Sequence, residues 1–243
     1  MDVTVYQYKI CPFCNKVKSF LDYLELPYDV VEVNPISKKE IKGLDTGGHT
    51  KVPVVTVDGI ASIESNDIIF ALVDRLKQDK AFSAHALHGK LKTLMTEDTQ
   101  KWAEWSEKEL AVMLYPNITR NFRESWEAFE YCGDVESWSA LDRASNRYFG
   151  PVAMYFANGK VKKKYNIVHE RAELKVVCET WTSAVAKTTD GPFLHGARVT
   201  MPDLMVFGVL KAIAGLPTFN EIMAENKDLL VWYIKVSDAI GGH

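Results

Sequence analysis

Two hydrophobic periods run through the first third of the chain, and only one persists afterwards. Residues 3–8 are β-branched or aromatic apart from Gln7 and contain no breaker, which predicts a strand. Apolar residues then fall at Phe13, Val17, Phe20, Leu21 and Leu24, the spacing of a helix with one buried face. Pro12 suits the first turn of that helix, where a missing N–H costs nothing, and Leu26-Pro27 closes it. A second strand is expected over 28–33, and a short charged helix over 37–44, before Gly47-Gly48 breaks the chain. Residues 54–57 and 60–63 flank Asp58-Gly59, a strong hairpin signal. Ser65 is placed to cap a helix with Ile68, Ile69, Leu72, Val73 and Leu76 on one stripe.

The order β-α-β-α-β-β-α, with Cys11-Pro12-Phe13-Cys14 at the first strand-to-helix turn, is the thioredoxin-like order. Residues 78–98 form a polar, weakly patterned connector. Beyond it the pattern is helical: Trp102, Trp105 and Leu110 begin it, Phe122, Trp126 and Phe129 follow, then Ala153, Met154 and Phe156. Thr200-Met201-Pro202-Asp203 has the form of a capping box ahead of a very apolar helix over 204–214. The expected fold is therefore an α/β thioredoxin-like domain over 1–77, the connector over 78–98, and an all-α domain over 99–243. This resembles the glutathione transferase architecture.

Composition adds little beyond exclusions. Apolar residues make up 47% of the 243 and charged residues 25%, as in a globular protein with a sizeable core. A net charge of −3 gives no electrostatic case for nucleic acid. Four cysteines, with Cys132 and Cys178 isolated, do not make a secreted disulfide framework. The residues after Met1 enter a strand pattern at once, without the basic and apolar regions of a signal peptide, and the longest apolar stretch is interrupted by Lys211. The expectation is a cytoplasmic protein, membrane-associated only through a segment outside these residues.

The chemistry centres on Cys11. A helix N-terminus offers unpaired N–H groups and the positive end of the helix dipole, and both favour thiolate over thiol. Cys11 should therefore have a lowered pKa and be nucleophilic. Lys51-Val52-Pro53-Val54 puts a proline at the start of the third strand, where this fold class carries a cis-proline facing the thiols. The N–H and C=O of Val52 would then be free to pair with an extended peptide such as glutathione. At Glu64-Ser65-Asn66 the opening N–H groups of a helix can receive the γ-glutamyl carboxylate, and Glu64 can meet the α-amino group.

Longer segments narrow the reading. Tyr6-Gln7-Tyr8-Lys9-Ile10-Cys11-Pro12-Phe13-Cys14 and Leu26-Pro27-Tyr28-Asp29-Val30-Val31-Glu32-Val33-Asn34-Pro35 resemble the prostaglandin E synthase type 2 family. Lys101-Trp102-Ala103-Glu104-Trp105, Pro116-Asn117 and Gly208-Val209-Leu210 extend the resemblance across nearly the whole chain. It implies a homodimeric, glutathione-binding isomerase that converts prostaglandin H to prostaglandin E, and family members can also bind haem with the glutathione thiol as iron ligand. The family's essential cysteine falls on Cys11, its site tyrosine on Tyr8 and its aromatic wall on Phe13. Glutathione contacts fall on Lys51, Val52, Pro53, Glu64, Ser65 and Asn66. The chain departs from the family in carrying Glu64-Ser65 where an Asp-Ser pair is common, in a shorter connector, and in having no counterpart of the family's N-terminal anchor.

The motif itself supports other activities. Cys11 could attack a disulfide and Cys14 resolve it, as in a glutaredoxin, and the substrate would be a disulfide instead of an endoperoxide. A glutathione transferase, or a glutathione and haem binder without turnover, is the third reading. Other features have plainer explanations. Cys132 and Cys178 read as buried and inert, His85 and His88 as solvated, and Trp102 and Trp105 as packing. Lys162-Lys163-Lys164 reads as a solvated turn, and no second Cys or His pair makes Cys11 and Cys14 half of a zinc site.

Overall fold

The computed structural model describes residues 1–83 and 87–241. The chain opens with β1 (Val3–Gln7), α1 (Pro12–Tyr23), β2 (Asp29–Glu32), β3 (Val54–Val57), β4 (Ile60–Ile63) and α2 (Ser65–Gln78). The four strands form one sheet in the order β2-β1-β3-β4. β1 pairs parallel to β2, with Val5 opposite Val30, and antiparallel to β3, with Val5 opposite Val55. β3 and β4 close the hairpin around Asp58-Gly59, where Asp58 and Gly59 both adopt positive φ, as its turn demands. Val5, Val55, Phe20, Leu21 and Leu72 are buried together between this sheet and α1 and α2.

One expected element is absent. Residues 37–44 form a run of turns instead of a helix. The side chain of Asn34 accepts the N–H groups of Ile36 (2.9 Å) and Ser37 (3.1 Å), and the Glu40 carboxylate accepts the N–H of Asn34 (3.0 Å). Lys38 has a positive φ of 52°, which a right-handed helix cannot contain, and the following N–H groups close single turns, Ile41 to the Lys38 carbonyl (3.3 Å) and Leu44 to that of Ile41 (3.2 Å). Ser65 is likewise the first residue of α2 and not its cap. Glu64 holds the cap position with φ 63°, and the Ser65 hydroxyl is engaged elsewhere.

The stretch from 78 to 98 is not featureless. It contains the short helices α3 (Lys80–Ser83) and α4 (His88–Leu94), which bury Phe82, Leu91 and Leu94. His88 packs edge-on to Phe82, while His85 lies outside the described residues. The helical region follows: α5 (Thr99–Trp105), a π-helical turn (Ser106–Ala111), α6 (Val112–Ile118), α7 (Phe122–Ala128), a 3₁₀ turn (Glu130–Asp134), α8 (Ala140–Tyr165), α9 (Glu170–Val185), α10 (Met201–Lys211), α11 (Pro217–Glu225) and α12 (Lys227–Ile240). Trp102, Trp105, Trp181 and Trp232 stack and cross at centroid distances of 5.0–6.2 Å, so the tryptophans are core. Lys162, Lys163 and Lys164 occupy the last turn of α8 and so are helical.

The two regions are joined through α1 and α10. Gly208 sits where a Cβ would lie 2.6 Å from backbone atoms of Asn15 and Lys16, so only glycine permits this approach. Asp203 anchors α10 from inside the core. It is fully buried, and its carboxylate accepts the N–H groups of Thr200 (3.0 Å) and Leu194 (3.1 Å) and the Trp232 indole N–H (3.0 Å). The capping box is therefore present, with Asp203 also serving as a core hydrogen-bond hub. Among the described residues no helix is long and apolar enough to cross a membrane.

Candidate active site

The first strand ends at Gln7, and the chain passes Tyr8 before Cys11 takes the cap position of α1. Cys11 is 9% exposed, and its Sγ lies 4.0 Å from the carbonyl oxygen of Val52. The Val52–Pro53 bond is cis, as the position of Pro53 before β3 suggests. Burial alone would raise the Cys11 pKa. A hydrogen bond from the Cys14 thiol, the N–H groups of Cys14 and Phe13, and the charge of Lys18 outweigh it, and the net shift is downward. Cys14 shows the reverse. It is wholly buried, and burial together with its donation to Cys11 pushes its pKa well up. Of the pair, Cys11 is therefore the thiol more readily ionised, and Cys14 is the partner that keeps its proton.

Two cavities meet at this point. One, of about 380 Å³, is polar, and His49, Lys51, Val52, Glu64, Ser65 and Glu107 are among its walls. The other, of about 450 Å³, is almost wholly apolar, and Tyr8, Cys11, Leu114, Phe129, Tyr131 and Met154 are among its walls. Phe13, Val112 and Tyr165 line both. Cys11 faces the apolar cavity beside the Val52 carbonyl, which belongs to the polar one. The Tyr8 hydroxyl is pushed up to about 12 by burial first and then by the negative charge of an ionised Cys11, so it holds its proton at neutral pH.

Of the residues expected at the site, Phe13, Lys51, Val52, Pro53, Glu64 and Ser65 are brought together around the polar cavity. Tyr8 and Cys11 lie on the apolar one, and Cys14 lies below both. Asn66 is turned away from the cradle: its Oδ1 accepts from Lys16 Nζ at 2.7 Å. Lys16 and Glu107 escape a reading of the sequence. Lys16 is fully buried on α1, and its ammonium also donates to Glu107 Oε1 at 3.1 Å. Ser65 Oγ donates to the same oxygen at 2.7 Å. Burial pulls the Lys16 pKa down to about 8, against the opposing pull of Glu107. Tyr131 is also unforeseen. It lines the apolar cavity, and burial and its hydrogen bond to Glu32 raise its pKa well above the usual tyrosine value.

The isolated cysteines are as expected. Cys132 and Cys178 are free and buried, and burial pushes their pKa values up to about 11 and about 12, which leaves them protonated. Among the described residues no cluster of His, Cys, Asp and Glu could hold a metal ion.

Comparison with known proteins agrees with this geometry. Residues 5–79 match the glutathione S-transferase N-terminal domain. Prostaglandin E synthase 2 of Mus musculus is 29% identical over an alignment 279 positions long, which covers 99% of this chain and 71% of the mouse protein. The Danio rerio protein of the same name is 28% identical over 274, covering 98% and 71%. In structure the chain is similar to poplar glutathione transferase F1, with a TM-score of 0.58 at 14% identity over 98% of this chain and 93% of that one. It is also similar to glutathione transferase Omega 3C from Trametes versicolor, with a TM-score of 0.55 at 13% identity, covering 99% and 83%. The fold is that of the glutathione transferases, a thioredoxin-like sheet followed by a helical region, and over nearly its whole length the chain is similar to prostaglandin E synthase 2 of mouse and zebrafish.

Proposed function

We propose that this glutathione transferase-like chain binds glutathione in its polar cavity and isomerises an endoperoxide, prostaglandin H to prostaglandin E, in the apolar one. The observation that carries the reading is the meeting of the two cavities at Cys11, with Phe13, Val112 and Tyr165 common to both. In this reading residues 1–77 hold the tripeptide, joined through 78–98 to 99–243, which supply most of the apolar wall. The cradle fits the tripeptide: Val52 offers its backbone beside the Cys11 thiol, and α2 opens its N–H groups towards an anionic end. Bound glutathione supplies a second thiol.

Endoperoxide isomerisation removes a proton from the carbon next to one peroxide oxygen. The C–H electron pair becomes the second bond of a ketone, the O–O bond breaks with its pair on the far oxygen, and that oxygen takes up a proton. The Cys11 thiolate is the base in this reading, and the Tyr8 hydroxyl, protonated with a pKa of about 12, is the donor. The apolar walls exclude the water that would otherwise open the peroxide by other routes. Turnover of the endoperoxide by Cys11→Ser should fall by about two orders of magnitude or more, the ordinary contribution of a positioned base. Undiminished turnover would contradict the assignment.

Disulfide exchange is the second reading, and one observation favours it: Cys14 lies beneath Cys11 and donates to it. Cys14 would then release a mixed disulfide formed at Cys11. Assays of the wild-type chain with hydroxyethyl disulfide plus glutathione and, separately, with the endoperoxide distinguish the two: turnover of the disulfide alone supports exchange, and turnover of the endoperoxide alone supports the isomerase. No histidine is among the residues lining the apolar cavity, so a haem iron there would need a ligand of another kind, such as Cys11, a bound thiol or one of Tyr8, Tyr115, Tyr131 and Tyr165. The homodimer belongs to the same proposal. On α8, Leu141, Tyr148, Phe149, Val152 and Phe156 form an exposed apolar stripe that a second copy would cover.

A further inference from the structure

Glu107 reaches the polar cavity from the far side of the cleft, on the π-helical turn Ser106–Ala111. Such turns add a residue to the helical register, alter which side chains face a neighbour, and recur at functional sites. Here the turn brings a carboxylate onto α1 and α2. Its Oε1 is fixed by Lys16 Nζ (3.1 Å) and Ser65 Oγ (2.7 Å), and Lys16 is itself held by Asn66. Its Oε2 has no hydrogen-bond partner among the described residues, and the side chain keeps 28% of its surface exposed. One oxygen is locked, and the other is left to the cavity.

We propose that Glu107 is the acceptor for the α-ammonium of a γ-glutamyl thiol, and that it makes the site selective for glutathione over thiols without that ammonium. The inference rests on the glutathione reading above. The γ-glutamyl end is a zwitterion, so its carboxylate and its ammonium need opposite partners a few ångströms apart. The opening N–H groups of α2 suit the carboxylate, and Glu107, held against Ser65 at the same helix start, suits the ammonium. Glu64 is the competing acceptor. It is exposed, and among the described residues nothing hydrogen-bonds its side chain, whereas Glu107 is already immobilised. An acceptor fixed before binding loses less side-chain freedom when the ligand arrives. Lys16 is the positioning residue: it touches no ligand and sets where the Glu107 carboxylate stands.

The test compares binding of glutathione and of glutaryl-Cys-Gly, which is glutathione without its ammonium, to the full chain by titration calorimetry. The wild-type protein should prefer glutathione by about tenfold or more, the worth of one charge-assisted hydrogen bond. In Glu107→Gln the preference should collapse to within about twofold, with glutathione affinity falling to that of the analogue. Lys16→Met/Glu107→Gln removes both charges, leaves no unpaired buried ammonium to unfold the chain, and should show the same collapse. A preference that survives in both variants overturns the proposal, as does one abolished by Glu64→Gln and not by Glu107→Gln. Failure of the wild-type chain to bind glutathione at all would instead overturn the reading on which the proposal rests, and the proposal with it.

Discussion

The polar and apolar halves of the cleft share Phe13, Val112 and Tyr165 and are built on different physics. The polar half is made of backbone groups and charges drawn from four separate segments: the residues around Val52, the start of α2, Lys16 on α1 and Glu107 on the π-turn. Lys16 and Glu107 hold each other there, so that corner of the half is fixed in advance. The apolar half is a gap between side chains, with Tyr8 and Tyr131 as its polar marks near the thiols. Its polar groups are few, Tyr8, Tyr115, Tyr131, Tyr165, Lys164 and the Cys11 sulfur, so in the proposed reading it selects mainly by shape. In the proposed reading, recognition and chemistry are divided between them: the polar half takes the thiol, and the apolar half takes the molecule on which Cys11 acts.

Removing the point the halves share has the largest effect. Cys11→Ser should abolish both endoperoxide and disulfide activity by about a hundredfold or more while leaving calorimetric glutathione binding measurable. Loss of binding and chemistry together would mean the halves are not separable. Breaking the charge pair that crosses the cleft comes next. Glu107→Gln leaves the buried Lys16 ammonium short of its counter-charge and should lower unfolding free energy by about 3 kcal/mol in urea titrations. Lys16→Met/Glu107→Gln should recover most of that loss, because a buried pair contributes little net stability beyond an apolar replacement. The contribution of Lys16 also has a sign in pH. Its folded pKa, about 8, lies below the unfolded 10.5, so the folded state binds fewer protons between those values. Stability owed to this group should therefore rise with pH from about 8 to about 10.5, and the rise should vanish in the double variant.

Filling the apolar half tests its independence. Ala111 is buried against that cavity, and Ala111→Phe should cut turnover of the endoperoxide by about tenfold or more with glutathione affinity unchanged within about twofold. The smallest effect concerns the thiols. Cys14→Ser replaces the thiol that donates to Cys11, so the Cys11 pKa should rise, and iodoacetamide labelling at pH 7 should slow by about fivefold, the worth of roughly 1 kcal/mol of hydrogen bonding. Labelling faster than in the wild type would show that Cys14 suppresses the thiolate.

Much of this was legible in the residues. The periodicities of β1, α1, the hairpin and α2 mark their own positions, and Cys11-Pro12-Phe13-Cys14 marks the thiolate, because a helix start and a cysteine suffice to define it. Residues 37–44 misled because their composition suits a helix while Lys38 takes a positive φ that breaks one, a backbone choice that composition does not announce. Ser65 looked like a cap because its type is right, yet its hydroxyl serves Glu107. Glu107 itself was out of reach, since a π-turn has no compositional signature and its partner Lys16 is distant in sequence. Lys16 did leave a trace. It lies four residues before Phe20, on the buried side of α1, where a lysine requires a partner.

The central claim is that a γ-glutamyl thiol occupies the polar half with its sulfur at Cys11 while the apolar half stays open. A crystal structure of the chain grown with glutathione tests this most directly. The account predicts the glutathione sulfur beside Cys11 Sγ, its peptide paired with the backbone of Val52, and its γ-glutamyl end between the start of α2 and Glu107. Glutathione lying among Leu114, Phe129 and Met154, or bound away from Ser65 and Glu107, would contradict it.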